Sequence, residues 1–399
     1  MKKRILSILL LAALLCSMLC GTASAAPTVT INVYNWGQYI SDGTDGYIDV
    51  IAEFEKEYPH IKVNYMTYDS NESMYTKLKA GGSTFDIIIP SDYMVEKLIA
   101  EDMLLPLNRE NIENFKYVDG SFRDPSYDPG NVYSVPYTWG SVGVIYNTRY
   151  VNEEDIGSWD LLWNPTYAGK ILMFDNPRDA FAIAELLLEM DINTEDPTDL
   201  QKAADKLREQ KPLVQAYVMD QVYDKMQRGE AWIAPYYAGD YLLMAEENPD
   251  LGFYFPEEGF NLFVDAICIP KSSTHQAEAE TFINFLLRPD VCGQNLEYLG
   301  YSSPSEESKN YMDPDVAEDP IAYPEPETLA RGSSFSSLSL EGTQRMNELW
   351  LTVKTADSST TVFLILTIVA VISVIILWIF FKVRKRRQKA RRCRKWRES

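Results

Sequence analysis

Four short segments of this chain set an aromatic ring within three residues of a polar or acidic group. They are Tyr34–Tyr39 (YNWGQY), Pro90–Tyr93 (PSDY), Tyr236–Asp240 (YYAGD) and Phe263–Asp265 (FVD). A flat ring beside a carboxylate suits an organic cation with an aliphatic body. The ring face attracts an ammonium group and covers methylenes, while the carboxylate neutralises the charge through a charge-assisted hydrogen bond.

The elements that must position these groups follow from periodicity. Val29–Trp36 alternates and is β-branched, so it predicts a strand. Tyr47, Val50, Ile51, Phe54 and Tyr58 recur at helical spacing up to Pro59. Residues 61–68 alternate again, Asn71 is placed to cap a helix closed by Gly81 and Gly82, and Phe85–Ile89 is apolar except for Asp86. This β-α-β-α-β rhythm predicts an α/β lobe with a largely parallel sheet. Further strands are expected at 141–147, 170–175, 231–237, 252–255 and 262–269. Helices are expected at 179–190, 200–210, 220–228, 276–287 and 346–353. In open α/β sheets ligands gather at the carboxyl ends of strands. Trp36, Ser91, Asp175, Tyr237 and Asp240 all fall at or just after predicted strand ends.

The two ends of the chain carry different signals. Lys2, Lys3 and Arg4 precede the apolar run Ile5–Leu19, and Ala23 and Ala25 offer small residues before a cut, so residues 1–25 are expected to be a signal peptide. Cys16 and Cys20 lie there too, but Leu19 stands where a lipidation signal wants a small residue before Cys20. Val362–Phe381 is an apolar run long enough to span a bilayer as a helix. The tail 382–399 holds 11 Lys/Arg and one acid, which predicts a cytoplasmic tail and an outward-facing domain. Of 37 bases and 58 acids in all, 23 and 57 remain between leader and tail. So acidic a surface repels nucleic acid and concentrates cations.

Composition excludes several functions. His60 and His275 are the only histidines, and they form no zinc-type pattern with cysteine. No triad or nucleotide loop is recognisable, so neither an enzyme nor a cofactor is expected. Cys268 and Cys292 are the only cysteines between leader and tail, and Cys268, between Ile267 and Ile269, is expected to be a buried small hydrophobe.

Five collinear runs carry a resemblance: Tyr34–Tyr39, Tyr68–Lys79 (YDSNESMYTKLK), Phe85–Tyr93 (FDIIIPSDY), Tyr133–Gly140 (YSVPYTWG) and Phe282–Asp290 (FINFLLRPD). Over about residues 30 to 325 the chain resembles the spermidine/putrescine-binding proteins of polyamine ABC transporters. The resemblance implies an α/β, two-lobed type II periplasmic-binding-protein fold with a ligand cleft between lobes that closes by hinge motion, here with a C-terminal transmembrane helix added. The expected division is 28–135 and 263–303 in lobe 1, 136–262 and 304–354 in lobe 2, then a stalk at 355–361 and the span at 362–381. The implied partners are a polyamine, ABC permease subunits and, through the span, the membrane, with the protein itself a monomer.

Carried over by motif, the resemblance implies that Trp36 and Tyr39 line an amine channel and that Ser91 and Tyr93 contact ligand. Asp265 matches the family's central carboxylate, Asp240 an acid near an amine, and Asp179 an acid of the second lobe. Tyr237 and Phe263 stand where tryptophan is common. Gln38 stands where many members have an acid, and Asn176 replaces a common Asp beside Asp175. Trp is the strongest of the three rings toward a cation, so these departures imply a retuned site. A second reading stays open: the adjacent phenols Tyr236 and Tyr237 resemble the pair that ferric-ion receptors of the same fold class use, since phenolate oxygen suits hard iron.

Overall fold

A computed structural model describes residues 28–82, 84–355 and 382. The expected leader, the stalk from 356, the apolar span 362–381 and the basic tail beyond Lys382 lie outside the described residues. Among the described residues no helix is long and apolar enough to cross a membrane.

In chain order the main elements are β1 (Val29–Trp36), α1 (Val50–Glu57), β2 (Ile61–Tyr68), α2 (Asn71–Ala80), β3 (Ile87–Ile88), α3 (Asp92–Ala100) and β4 (Ser134–Asn147). There follow β5 (Ile171–Phe174), α4 (Pro177–Leu187), α5 (Pro197–Gln210), β6 (Val214–Val218), α6 (Val222–Gln227), β7 (Ile233–Tyr237) and α7 (Ala238–Glu247). The chain continues through β8 (Leu251–Tyr254), β9 (Phe260–Cys268), α8 (Gln276–Leu286), α9 (Pro289–Leu299), β10 (Gly332–Ser333) and α10 (Leu340–Thr355).

The chain divides into two compact units. Among the described residues, the first groups those up to 145 with 236–255 and 260–337, and the second groups 146–235 and 256–259 with those from 338 on. Residues 304–337 thus group with the first unit, where the sequence reading assigned 304–354 to a second lobe.

In the first unit β1 pairs in parallel with β2 and with β3. β9 then runs antiparallel to β3 and to β4, with Thr138 opposite Asp265 and Gly140 opposite Phe263. The sheet is therefore mixed, and the largely parallel sheet expected from the sequence holds only for its first half. The reason is that β9 returns from far along the chain, so no β-α-β crossover fixes its direction. Ile31, Val33, Phe54, Ile61, Ile87, Phe282, Ile283 and Leu296 form the core of this unit, each 1 % exposed or less. Burying side chains of this size contributes about 1.5–3 kcal/mol each.

Helix ends follow local chemistry. Asp49 caps α1 through the backbone amide of Ala52, and Ser70 and Ser73 form a reciprocal capping box on α2. The cap of α2 is thus Ser70 and not Asn71, which is the first helical residue and turns its amide to Ser91. Pro289 opens α9 and Gly300, with φ 69°, closes it. The strand at 134–147 begins seven residues earlier than the alternation at 141–147 indicates, because Ser134–Gly140 is buried on both faces and loses the period-two signal.

In the second unit β5 pairs in parallel with β6 and with β7. Asn176 caps α4 and Asp196 caps α5, each followed by proline at the first helical position. Trp159, Tyr167, Phe174, Phe181 and Leu200 are among its fully buried side chains. Cys268 and Cys292, both in the first unit, are buried free thiols, as the apolar setting of Cys268 predicts.

Candidate functional site

Asp265 sits on β9, is 4 % exposed, and anchors a buried hydrogen-bonded cluster of the first unit. Tyr39, on the turn after β1, donates from its hydroxyl to Asp265 Oδ2 at 2.6 Å. Ser91, the residue that starts α3, donates from Oγ to Asp265 Oδ1 at 2.6 Å. Both donors are extended by a further partner. The Tyr39 hydroxyl lies 2.5 Å from Thr138 Oγ1, and Asn71 Nδ2 donates to Ser91 Oγ at 3.0 Å. Thr138 reaches this position because it is the cross-strand partner of Asp265, beside a register shift at Pro136–Thr138.

Burial pushes the Asp265 carboxyl up to about 6, against the lowering pull of the Ser91 and Tyr39 hydrogen bonds. The same burial, together with the charge of Asp265, holds the Tyr39 and Tyr68 phenols well above their ordinary value. Among the described residues no Lys, Arg or His forms an ion pair with Asp265. A buried carboxylate without a cation pays for desolvation uncompensated, so the chemistry this centre lacks is a positive charge.

Around it runs a chain of rings. Tyr39 meets Tyr137 and Tyr301 edge-on at 5.8 and 5.1 Å, Tyr301 meets Phe263 at 6.3 Å, and Phe263 meets Tyr237 at 5.5 Å. Two glycines make this packing possible. A side chain at Gly140 would come within 2.7 Å of the Phe263 ring, and one at Gly239 within 2.7 Å of Tyr301. The Tyr301 hydroxyl donates to Asp240 Oδ2 at 2.7 Å, so Asp240, in the first turn of α7, joins the same cluster through a ring that touches Tyr39.

The remaining expected residues are placed as follows. Trp36 is half-buried at the end of β1; its indole nitrogen donates to the Ile89 carbonyl at 2.9 Å, and its ring leans on Tyr68 at 4.7 Å. Gln38 is exposed and held in the left-handed region at φ 50°, a conformation that costs energy for a non-glycine residue and is common at functional sites. Tyr93 is buried, donates to Glu72 Oε1 at 2.9 Å and meets Phe335 at 5.8 Å. Asp179 belongs to the second unit, is 5 % exposed, and accepts from Asn176 Nδ2 at 2.6 Å. Asp175, beside it, pairs with Lys354. Tyr236, the other half of the proposed iron pair, is 3 % exposed, and among the described residues no three His, Cys, Asp or Glu side chains gather that could complete a metal shell.

Sequence reasoning did not single out Thr138, Asn71, Tyr68 or Tyr301. The first three lie inside or at the edge of quoted runs, so a search for hydroxyls and amides near those runs finds them. Tyr301 has no acid within three residues, and only the fold brings it to Asp240.

Comparison with known proteins agrees with this architecture. Residues 49–324 match the family model of bacterial extracellular solute-binding proteins. The spermidine/putrescine-binding periplasmic protein of Escherichia coli K12 is 33% identical over 311 residues, covering 78% of this chain and 87% of its own. The structure of the substrate-binding protein PotD of a spermidine/putrescine ABC transporter from Streptococcus pneumoniae is 36% identical, with a TM-score of 0.70, and covers 82% of this chain and 99% of its own. A Listeria monocytogenes structure, provisionally named a spermidine/putrescine ABC transporter, is also 36% identical, with a TM-score of 0.78 over 82% of this chain and 99% of its own. The fold is accordingly the mixed α/β type II periplasmic-binding-protein fold, and the matched family is one of solute-binding proteins. The chain belongs to the bacterial extracellular solute-binding proteins, the family of the spermidine/putrescine-binding proteins of ABC transporters.

Proposed function

We propose that this chain is the extracytoplasmic substrate-binding protein of an ABC importer and that its ligand is a polyamine, handed on to a membrane permease. The observation that carries the reading is Asp265, a buried carboxylate held by two hydroxyl donors, with no cationic side chain paired to it among the described residues. An alkyl-ammonium ligand supplies the missing charge, and the neighbouring rings of Tyr39, Tyr301, Phe263 and Tyr237 give its methylenes an apolar partner. Asp240 offers a second carboxylate on the same ring chain, as a ligand with two separated charges requires. In this reading Trp36, Gln38, Ser91, Tyr93 and Asp179 serve as further ligand contacts, and the acidic surface gathers the cation. The leader 1–25 directs export, and Val362–Phe381 retains the protein at the membrane with its basic tail inside.

Titration calorimetry of the full chain with putrescine, spermidine, spermine and, as a control, ferric citrate tests the proposal. Binding of at least one amine is expected. Asp265→Asn should weaken it about a hundred- to several-thousandfold, because breaking one side of a buried charge pair costs about 3–5 kcal/mol. Unchanged affinity in Asp265→Asn, or heat from ferric citrate alone, would overturn the reading.

A further inference from the structure

The hydrogen bonds around Asp265 are of two kinds. On the Oδ1 side their direction is fixed. The Asn71 carbonyl oxygen accepts from the Ser91 backbone amide at 3.2 Å, which orients the Asn71 side chain. Its Nδ2 donates to Ser91 Oγ, so the Ser91 proton must point to Oδ1. On the Oδ2 side the direction is free. The Tyr39 hydroxyl stands between Asp265 Oδ2 at 2.6 Å and Thr138 Oγ1 at 2.5 Å, and either hydroxyl of the Tyr39–Thr138 pair can donate. The row therefore runs equally well in reverse, from a protonated Oδ2 to Tyr39 and from Tyr39 to Thr138, without two donors facing each other.

The phenols and the thiol that face this carboxyl do not compete for the proton. Tyr68 from β2, Tyr137 from β4 and Tyr127 from the loop before β4 feel its charge, and burial holds their phenols above their ordinary value. Cys268, on the same strand, is likewise pushed up by burial. From α3, Asp92 accepts from the Val264 amide at 3.4 Å. None of these is a cation.

We infer that Asp265 Oδ2 is a proton site of the unliganded protein and that an ammonium group captured there displaces one proton to solvent. The inference rests on the polyamine reading. Its balance is simple: the neutral carboxyl, the ammonium cation and one water molecule give an ion pair and one hydronium. With the free carboxyl at about 6, nearly one proton per amine is released at pH 5 and about a tenth at pH 7. The dissociation constant rises about tenfold from pH 7 to pH 5. The amine stays charged throughout, so the change belongs to the protein.

The test is calorimetry of the full chain with spermidine and with putrescine at pH 5 and pH 7, at each pH in two buffers of different ionisation enthalpy. A proton count near one at pH 5, falling toward zero at pH 7, is expected. Amine binding with no proton count at pH 5 and equal affinity at both pH values would overturn the inference and leave the polyamine reading intact. Absence of amine binding at both pH values would overturn the polyamine reading. A second measurement needs no ligand: a carboxyl carbon signal titrating near pH 6 in the unliganded chain and missing from Asp265→Asn supports the proton site, and a midpoint at or below pH 4 overturns it.

Discussion

Asp265 makes ionisation a cost that the folded protein bears alone. Its unfolded carboxyl titrates at the ordinary 3.8 and its folded carboxyl at about 6, so the folded state holds the proton more tightly. Its contribution to stability is full below about pH 4 and is lost as pH rises through 6. Asp265→Asn, measured without ligand, should therefore match the parent in melting temperature near pH 4. It should gain on the parent up to pH 6 and stay ahead above it, by about 3 kcal/mol at most. Parallel melting curves from pH 4 to pH 8 would contradict this. On the proposed reading the same residue weakens the empty protein and strengthens the occupied one. Tyr39→Phe tests the hydroxyl separately. It removes one of two donors to the carboxylate and leaves the ring, and a net loss of about 1–2 kcal/mol, roughly a tenfold weaker amine affinity, is expected. Unchanged affinity would mean that the hydroxyl only fills space. At this scale the motifs contain Tyr39, Ser91 and Asp265, which the fold brings into one hydrogen-bonded group, and each carries its chemistry in its own side chain. Tyr301 was illegible, because what it contributes is a position against a distant residue.

Among the elements, α4 carries a buried charge of its own. Glu185 is fully buried in the second unit and, among the described residues, neither of its carboxylate oxygens has a hydrogen-bond partner. Burial pushes its carboxyl up to about 8, with Arg178 pulling down and Asp191 and Asp199 pushing further up. The sign is that of Asp265 over a wider window: stability is full below the ordinary 4.5 and is lost as pH rises through 8. Glu185→Gln should outpace the parent between about pH 4.5 and pH 8, by roughly 1.4 kcal/mol per pH unit at most. Equal denaturant midpoints at pH 5 and pH 8 would show the site to be wetter than its burial implies. Most elements were legible from their period. Three helices, α3, α7 and α9, were not. In α3 the residues Asp92, Tyr93, Met94, Val95 and Leu98 are all buried, so its apolar positions do not form a single stripe. In α9 the proline and glycine at its ends were readable, but Gly293 and Asn295 interrupt the pattern within it.

For the whole molecule, the proposed anchor makes a prediction about where the protein works. If Val362–Phe381 anchors the protein, a chain ending at residue 355 should be released from cells. It should bind the same amine with unchanged affinity, and uptake should fall because tethering no longer keeps the receptor near the permease. Uptake equal to that of the full chain, or retention of the truncated protein on membranes, would remove the anchor from the mechanism. The sequence by itself determined the family, the α/β alternation, the acidic balance and the identity of the acids and rings, since these reside in local periodicity and in the residues themselves. Only the tertiary structure decided that β9 turns the first sheet antiparallel, that Thr138 faces Asp265, and that Tyr39 reaches a carboxylate 226 residues away. The physical reason is that a strand's pattern fixes which residues share a face, whereas its neighbour and register are fixed by packing against segments far along the chain.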